Sequence, residues 1–183
     1  MWYNFTDKQR FSGIQKMVIE SYNPKWPQQF FLIKQMLERN LREYISIEHV
    51  GSTSIPGMKA KPIIDIDVVV QDEAQFLSVK EDLEKIGYIH KGDLGISGRE
   101  AFDEDNVSIK IAHHLYVCKK DNPELLIHIA FRNRLRETPA LVDEYNSIKE
   151  EILLKVGADN RAAYVDMKEK EYKWVFEKVL SGN

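Results

Sequence analysis

Two carboxylates two positions apart, Asp65 and Asp67, sit in the β-branched run Ile63-Ile64-Asp65-Ile66-Asp67-Val68-Val69-Val70, and the pair Gly51-Ser52 precedes them with twelve residues between. In an extended strand, residues i and i+2 share a face and lie about 6.5 Å apart along the axis. Both acids can therefore converge on a hard cation and, through it, on a phosphate. Ile64, Ile66, Val68 and Val70 take the opposite face and give the strand a buried side. Gly51 admits a close approach of its backbone to a phosphate, whose oxygens the Ser52 hydroxyl and the groups of Thr53 can meet. The competing reading is structural: Ser52, Thr53 and Ser54 cap a turn that Pro56-Gly57 closes, and the two acids lie on an exposed strand face.

Basic side chains surround this pair in the sequence. Lys61 stands just ahead of the acidic strand and can pair with Asp65 or contact a triphosphate. His128, Arg132 and Arg136 recur every four residues and form one stripe of a helix. That stripe suits an anionic substrate, or else a solvated face paired with Glu137 and Glu144. His49, beside the Gly-Ser pair, either bonds to backbone or orients the loop. His113-His114 lies in a strand pattern without the spaced partners of a zinc helix. Other nucleotide motifs are absent. Gly51 and Gly57 flank five residues and Met58 follows, which is not a P-loop; Gly92, Gly95 and Gly98 are mis-spaced for a dinucleotide fingerprint; a serine-hydrolase elbow is missing.

The elements that must position these residues follow from periodicity. A short strand-like run, Met17 to Glu20, precedes a helix with Pro27 in its first turn and Phe30, Ile33, Leu37, Leu41 and Tyr44 at helical spacing. Ser46 to Val50 reads as a strand, the stretch to Pro62 as a loop, and Ile63 to Val70 as the acidic strand. Glu73 to Ile86 carries helical spacing that Gly87 stops. Two weaker strands are expected between Tyr88 and Cys118; the second, from Ile109 to Val117, turns His114 and Tyr116 away from Leu115 and Val117. Asp103, Glu104 and Asp105 read as a solvent-facing turn. Asn122-Pro123-Glu124 opens a helix that runs to about Arg136. Pro139 begins another with Leu141, Tyr145, Ile148, Ile152 and Val156 on a face, and Asn160 caps a last one carrying Val165, Tyr172, Val175, Phe176 and Val179.

Whole-chain properties narrow the class. The 183 residues hold 26 Lys+Arg and 29 Asp+Glu, a net charge of −3, with 43% hydrophobic residues, which fits one globular domain and names no charged partner such as nucleic acid. Residues 1–16 lack a sustained period and read as an extension to a domain spanning 17–183. A lone Cys118 provides neither a disulfide scaffold nor a multi-cysteine zinc site, and a reducing cytoplasm is the simplest compartment. No apolar stretch approaches the roughly 18 residues of a membrane span, and the first residues are not those of a secretory signal.

A Gly-Ser pair ahead of an Asp-x-Asp strand is the signature of the polymerase-β-like nucleotidyltransferase fold, and the wider string is more specific. Ile47-Glu48-His49-Val50-Gly51-Ser52-Thr53-Ser54-Ile55-Pro56-Gly57 and then Ala60-Lys61-Pro62-Ile63-Ile64-Asp65-Ile66 resemble the hallmark of the GrpB family. Tyr22-Asn23-Pro24-Lys25-Trp26 and Phe131-Arg132-Asn133-Arg134-Leu135-Arg136 are also similar to it, so the resemblance runs from about Val18 to the C-terminus. It implies an α+β fold: a small, twisted, mixed β-sheet with helices packed on one face and C-terminal helices completing a cleft. With the residue readings above, Asp65 and Asp67 are expected as the catalytic pair and ligands of Mg²⁺, and Gly51, Ser52, Thr53, Lys61, His128, Arg132 and Arg136 as the residues binding substrate. The implied reaction is transfer of a nucleoside monophosphate from a nucleoside triphosphate to an unidentified acceptor. Two departures stand out. Active nucleotidyltransferases place a third carboxylate on a neighbouring strand, where the best-placed residues here are His114 and Tyr116, and GrpB relatives commonly have Asp where this chain has Asn133. The alternative is a catalytically silent nucleotide- or anion-binding module that partners an enzyme of coenzyme metabolism, since a related domain occurs fused to dephospho-CoA kinase in some bacteria.

Overall fold

The first helix, α1 (Trp26–Asn40), starts where Asn23 Oδ1 accepts the Lys25 amide at 3.0 Å and Pro27 occupies the first turn, and it buries Trp26, Ile33 and Leu37. The spacing predicts a helix reaching Tyr44, but Leu41 is already extended. The following residue explains the early stop: Asp82 accepts both the Arg42 amide, at 3.1 Å, and Arg42 Nε, at 2.9 Å, and so leads the chain away from the helix axis. This computed structural model describes residues 18–170 and 173–181. The extension expected over 1–16, Met17 of the first strand-like run, and Tyr172 therefore lie outside the described residues. What remains of that run is a single antiparallel bridge between Glu20 and Ala60.

Five strands form one mixed sheet in the order β1-β2-β5-β4-β3. They are β1 (Ser46–Val50), β2 (Ile64–Val70), β3 (Tyr88–Gly92), β4 (Arg99–Glu104) and β5 (His113–Lys119). β2 pairs antiparallel with β1 and parallel with β5, and β4 pairs antiparallel with both β5 and β3. The parallel pair requires a crossover, which α2 (Glu73–Lys85) begins. Asp72 caps α2 by accepting the Gln75 amide at 3.0 Å. Between Tyr88 and Cys118 there are three strands rather than two. The additional strand, β4, has the weakly patterned sequence Arg-Glu-Ala-Phe-Asp-Glu, and its pairing on both edges supplies what local preference does not. Asp103 and Glu104 are thus strand residues rather than turn residues, and Glu104 Oε1 lies 3.1 Å from His113 Nδ1. Ile109 and Ile111 lie ahead of β5, half-buried against the core instead of inside the strand.

The C-terminal part is helical: α3 (Pro123–Glu137), α4 (Pro139–Val156), α5 (Arg161–Lys170) and α6 (Lys173–Ser181). The expected caps are present. Asn122 Oδ1 accepts the amides of Glu124 and Leu125, and Asn160 Oδ1 accepts that of Ala163. On one sheet face Ile64, Ile66, Val68 and Val70 pack with Leu115, Val117, Ile33 of α1 and Val79 and Leu83 of α2. Burying each such side chain contributes on the order of 1.5–3 kcal/mol. The other face carries Val69, Tyr116 and Cys118 beneath Leu125 of α3. Beside it, Ile55 and Met58 of the loop after β1 pack on Leu135, Val142 and Tyr145, so α3 and α4 close over the face that bears the acids.

Candidate functional site

Gly51 ends β1 with φ 69°, and a β-carbon placed there would fall 2.1 Å from Asp65 Oδ2. Glycine is needed for both reasons: the left-handed conformation and the carboxylate packed against its α-carbon. Ser52–Ser54 then form one 3₁₀ turn, closed by Ser54 Oγ donating to Gly51 O at 2.6 Å. Thr53 is buried, and its Oγ1 lies 3.0 Å from His49 Nε2. His49 is stacked on Phe30 at 4.6 Å, which fixes the start of the loop. Burial lowers the His49 pKa to about 4, the nearby charges of Arg136 and Arg132 act in the same sense, and Asp65 opposes them.

The two acids meet histidines from different elements. Asp65 Oδ1 lies 2.8 Å from His114 Nδ1 on β5, and Asp67 Oδ2 lies 3.0 Å from His128 Nδ1 on α3. The parallel register sets His114 opposite Asp65 and Tyr116 opposite Asp67, so the neighbouring strand presents no carboxylate opposite either acid. Asp65 borders a cavity of about 100 Å³, whereas Asp67 is fully buried and is not among the residues lining it. His113 faces the opposite way, bonded to the Tyr88 hydroxyl at 2.6 Å, so the two adjacent histidines do not act together.

The basic stripe of α3 divides. His128 lines the cavity, while Arg132 and Arg136 hold the loop itself. Arg132 Nη1 donates to Glu48 Oε2 at 2.8 Å and to His49 O at 3.1 Å, and its Nε donates to Asn133 Oδ1 at 3.0 Å. Arg136 donates through Nε and Nη2 to Ser54 O at 2.9 and 2.7 Å. These guanidiniums satisfy carbonyls of β1 and of the 3₁₀ turn, so they position the Gly-Ser loop from outside the cavity.

Four basic residues to which the sequence reading gave no role complete the site, Lys59, Arg99, Lys149 and Lys168. Lys149 of α4 is buried, with Nζ donating to Ser52 Oγ at 2.8 Å and to Lys59 O at 2.7 Å. Desolvation pushes this lysine's pKa well below its ordinary range, the charge of Lys168 adds to the effect, and Asp65 pulls the other way. Its signal in the sequence was position: Lys149 lies one turn from Tyr145 and from Ile152, on a stripe otherwise apolar. Arg99 of β4, 2% exposed, stacks on Tyr116 with its guanidinium carbon 4.4 Å from the ring centre. Five basic side chains therefore line the cavity, Lys59, Lys61, Arg99, Lys149 and Lys168, against the single carboxylate of Asp65. Lys59 is also ion-paired with Glu150.

Whether magnesium suits these residues depends on the oxygens left over. Asp65 Oδ2 abuts Gly51, and Asp67 Oδ1 is buried with no hydrogen-bond partner among the described residues. Mg²⁺ is ordinarily held by one or two carboxylates together with substrate phosphates. The two acids offer such an ion one carboxylate at the cavity, that of Asp65, since Asp67 is buried away from its lining. They do not make a preformed cage: among the described residues no group of three or more His, Cys, Asp or Glu is placed to hold a metal.

Comparison with known proteins bears on the same region. The family model described as GrpB protein matches residues 16–178. The chain is 37% identical over 139 residues to UPF0157 protein YqkA of Bacillus subtilis, covering 75% of this chain but only 40% of that protein's length. It is 32% identical over 158 residues to Glutamate-rich protein GrpB of Alkalihalophilus pseudofirmus, covering 82% of this chain and 90% of the relative. Among solved structures, conserved protein GrpB from Enterococcus faecalis superposes with a TM-score of 0.75 at 35% identity, over 90% of this chain and 98% of that one. The Cid1 poly(U) polymerase, in a structure with MgGTP bound, superposes with a TM-score of 0.56 at 15% identity, over 78% of this chain and 46% of Cid1. That likeness shows a shared fold, the nucleotidyltransferase fold. No helix among the described residues is long and apolar enough to cross a membrane.

Proposed function

The chain belongs to the GrpB family, and from that premise we propose that it binds the phosphates of a nucleoside triphosphate in the cavity beside Gly51-Ser52. One observation carries the reading: five basic side chains converge there on a chain whose net charge is −3. So local a concentration of donors suits a ligand bearing several negative charges. Lys149 supports it further, because desolvation disfavours its charged form and an anion beside Nζ would restore the proton. The test is a thermal-shift series with each of the four common ribonucleoside triphosphates, in EDTA and in excess Mg²⁺. A ligand that binds only the native state raises the melting temperature. An increase with at least one nucleotide is expected, and no shift with any of them overturns the reading.

A second reading, nucleotidyl transfer, is favoured by the Asp65 carboxylate, which lies against Gly51 and borders the cavity. Magnesium, when bound with substrate, would neutralise phosphate charge and polarise the α-phosphate. The chain's own contribution is positional. Gly51 leaves room for the Asp65 carboxylate, His114 and His128 orient the two acids, and Lys149 and the Ser52 hydroxyl face the phosphates. An acceptor oxygen would bond to the α-phosphorus as the bond to the bridging oxygen breaks, releasing pyrophosphate, with the acceptor's proton passing to water. Release of pyrophosphate that disappears in Asp65→Asn supports transfer. Binding without pyrophosphate release, across a panel of hydroxyl acceptors, leaves the silent module that the missing third carboxylate favours.

A further inference from the structure

Arg136, which holds the loop, and Arg99, which lines the cavity, use the same edge of the guanidinium in opposite ways. Arg136 spends Nε and Nη2 together on Ser54 O. In Arg99 those same two nitrogens are buried and have no hydrogen-bond partner among the described residues, although the residue is 2% exposed and lines the cavity. Nε–H and Nη2–H are parallel donors on one side of a rigid plane, the edge that grips two oxygens of a phosphate or carboxylate at once.

Burial makes an unpartnered edge costly. A guanidinium does not shed its proton inside a protein, and an ion taken out of water without a partner carries a large desolvation penalty. The stacking on Tyr116 offsets a part of that. The surroundings hold Arg99 where it is. Asn122, whose Oδ1 caps α3, donates through Nδ2 to Ser97 O at 3.0 Å, and a β-carbon on Gly98 would fall 2.6 Å from that Nδ2. The turn ahead of Arg99 is thus clamped to α3, and β4 is clamped to β5 with Arg99 in register with Cys118.

We propose that Arg99 is the bidentate phosphate receptor of the cavity, and that it grips a phosphoryl group without help from a divalent metal. This rests on reading the cavity as a triphosphate site, and it names the side chain that meets the end of the polyphosphate. The Nε–Nη2 edge takes two oxygens of the terminal phosphoryl group, and Lys149 on the opposite sequence half supplies a donor beside Ser52. Free inorganic phosphates present the same chemistry, so their chain length distinguishes a terminal group from an isolated one.

The experiment titrates sodium tripolyphosphate, pyrophosphate and orthophosphate into the full-length protein by calorimetry in EDTA at fixed ionic strength, for wild type, Arg99→Lys and Arg99→Met. Wild type should bind tripolyphosphate more tightly than orthophosphate. Arg99→Lys keeps the charge but loses the fork, and Arg99→Met keeps much of the packing but loses both; each should weaken tripolyphosphate binding at least about tenfold, the scale of a charge-assisted hydrogen bond. A melting temperature of ligand-free Arg99→Met equal to or above wild type is expected, since an unpaired buried ion has been removed. Arg99→Lys binding as tightly as wild type overturns the assignment while the cavity reading stands. So does a lower melting temperature of Arg99→Met with affinity unchanged, which makes Arg99 a packing residue. Nucleotide binding with no tripolyphosphate binding in EDTA also removes Arg99 and leaves the nucleotide reading. Absence of binding by both kinds of ligand removes both.

Discussion

The two faces of β2 are built by opposite rules. On one, Ile64, Ile66 and Val68 are fully buried and Val70 is 1% exposed, each surrounded by carbon. On the other, Asp65 and Asp67 each meet a histidine, one from β5 and one from α3, and an Asp67 oxygen is left buried without a partner among the described residues. The first face is where the fold gains its stability. The second retains polar groups whose needs the described residues do not fully meet. The contrast can be broken at once by substitution. Ile66→Ala should lower the free energy of unfolding by about 2–5 kcal/mol, the usual loss for a buried aliphatic side chain cut to a methyl group. Asp67→Asn keeps the shape and a hydrogen bond to His128 while removing a buried charge, and should cost less than about 1 kcal/mol. Equal losses in urea denaturation would mean that both faces are structural.

Titratable side chains also lie on the aliphatic face, and His49 is the one that sharpens the comparison by pH. His49 is the register partner of Ile66 and therefore points to the same side of the sheet, stacked on Phe30. Its folded-state pKa is about 4, against 6.5 ordinarily, so between those values the unfolded chain binds the proton and the native chain does not. Stability present above pH 6.5 should therefore be lost progressively as the pH falls toward 4, by at most about 1.4 kcal/mol per pH unit. Urea denaturation across this window should show the slope in wild type and a shallower one in His49→Gln. An unchanged slope in the variant would assign the effect to other groups.

Where β1 passes into the loop, the two faces depend on a single α-carbon. Gly51→Ala forces a left-handed residue to carry a β-carbon that meets Asp65 Oδ2 at 2.1 Å. With ψ −175° the backbone sits in a region that only glycine adopts readily, which alone costs roughly 1–3 kcal/mol, and displacement of Asp65 from His114 adds to it, so about 2 kcal/mol or more is expected in denaturation. Combining Gly51→Ala with Asp65→Gly relieves the contact but not the backbone strain, and should recover part of the loss. Full recovery would show that the clash alone demands glycine; no recovery would show that the conformation alone does.

How far this site could be read in advance follows the same division. Alternation along 63–70 and the caps at Asn122 and Asn160 are local patterns, and the strand, the acids' common face and the helix starts follow from them. The placement of His114 and Tyr116 opposite the acids was also within reach, because a β-branched run and a second alternating run suggest neighbouring strands. Lys149 and Arg99 were not. Lys149 meets Ser52 across 97 residues, and α4 advertises an apolar face on which a lysine goes unnoticed. Arg99 belongs to a strand formed by pairing rather than by preference. The α3 stripe was visible as a stripe, yet periodicity says only that its residues share a side; that Arg132 and Arg136 turn to the carbonyls of the loop is decided by packing of α3 on β1 and α4.

The smallest effect tests how the loop reaches phosphate. Ser52 Oγ accepts from Lys149 Nζ at 2.8 Å, and that nitrogen also reaches Lys59 O at 2.7 Å. Two routes then lead from Ser52 to a ligand: the hydroxyl can donate its own hydrogen to a phosphate oxygen while accepting from the lysine, or it can serve only to aim the lysine. Ser52→Ala should weaken triphosphate binding by about 1–2 kcal/mol on either route, so the single substitution does not separate them. A double-mutant cycle does. Had Ser52 acted only through Lys149, removing it in a Lys149→Met background would cost nothing further, giving a coupling of about 1 kcal/mol or more between the two sites. Direct contact predicts instead that the losses add, within roughly 0.3–0.5 kcal/mol. The cycle is read from triphosphate affinities of the four proteins by calorimetry. We expect coupling close to 1 kcal/mol, because Ser52 is the residue against which the buried amine is held; strict additivity would make the hydroxyl, and not the lysine's placement, the contribution of the loop.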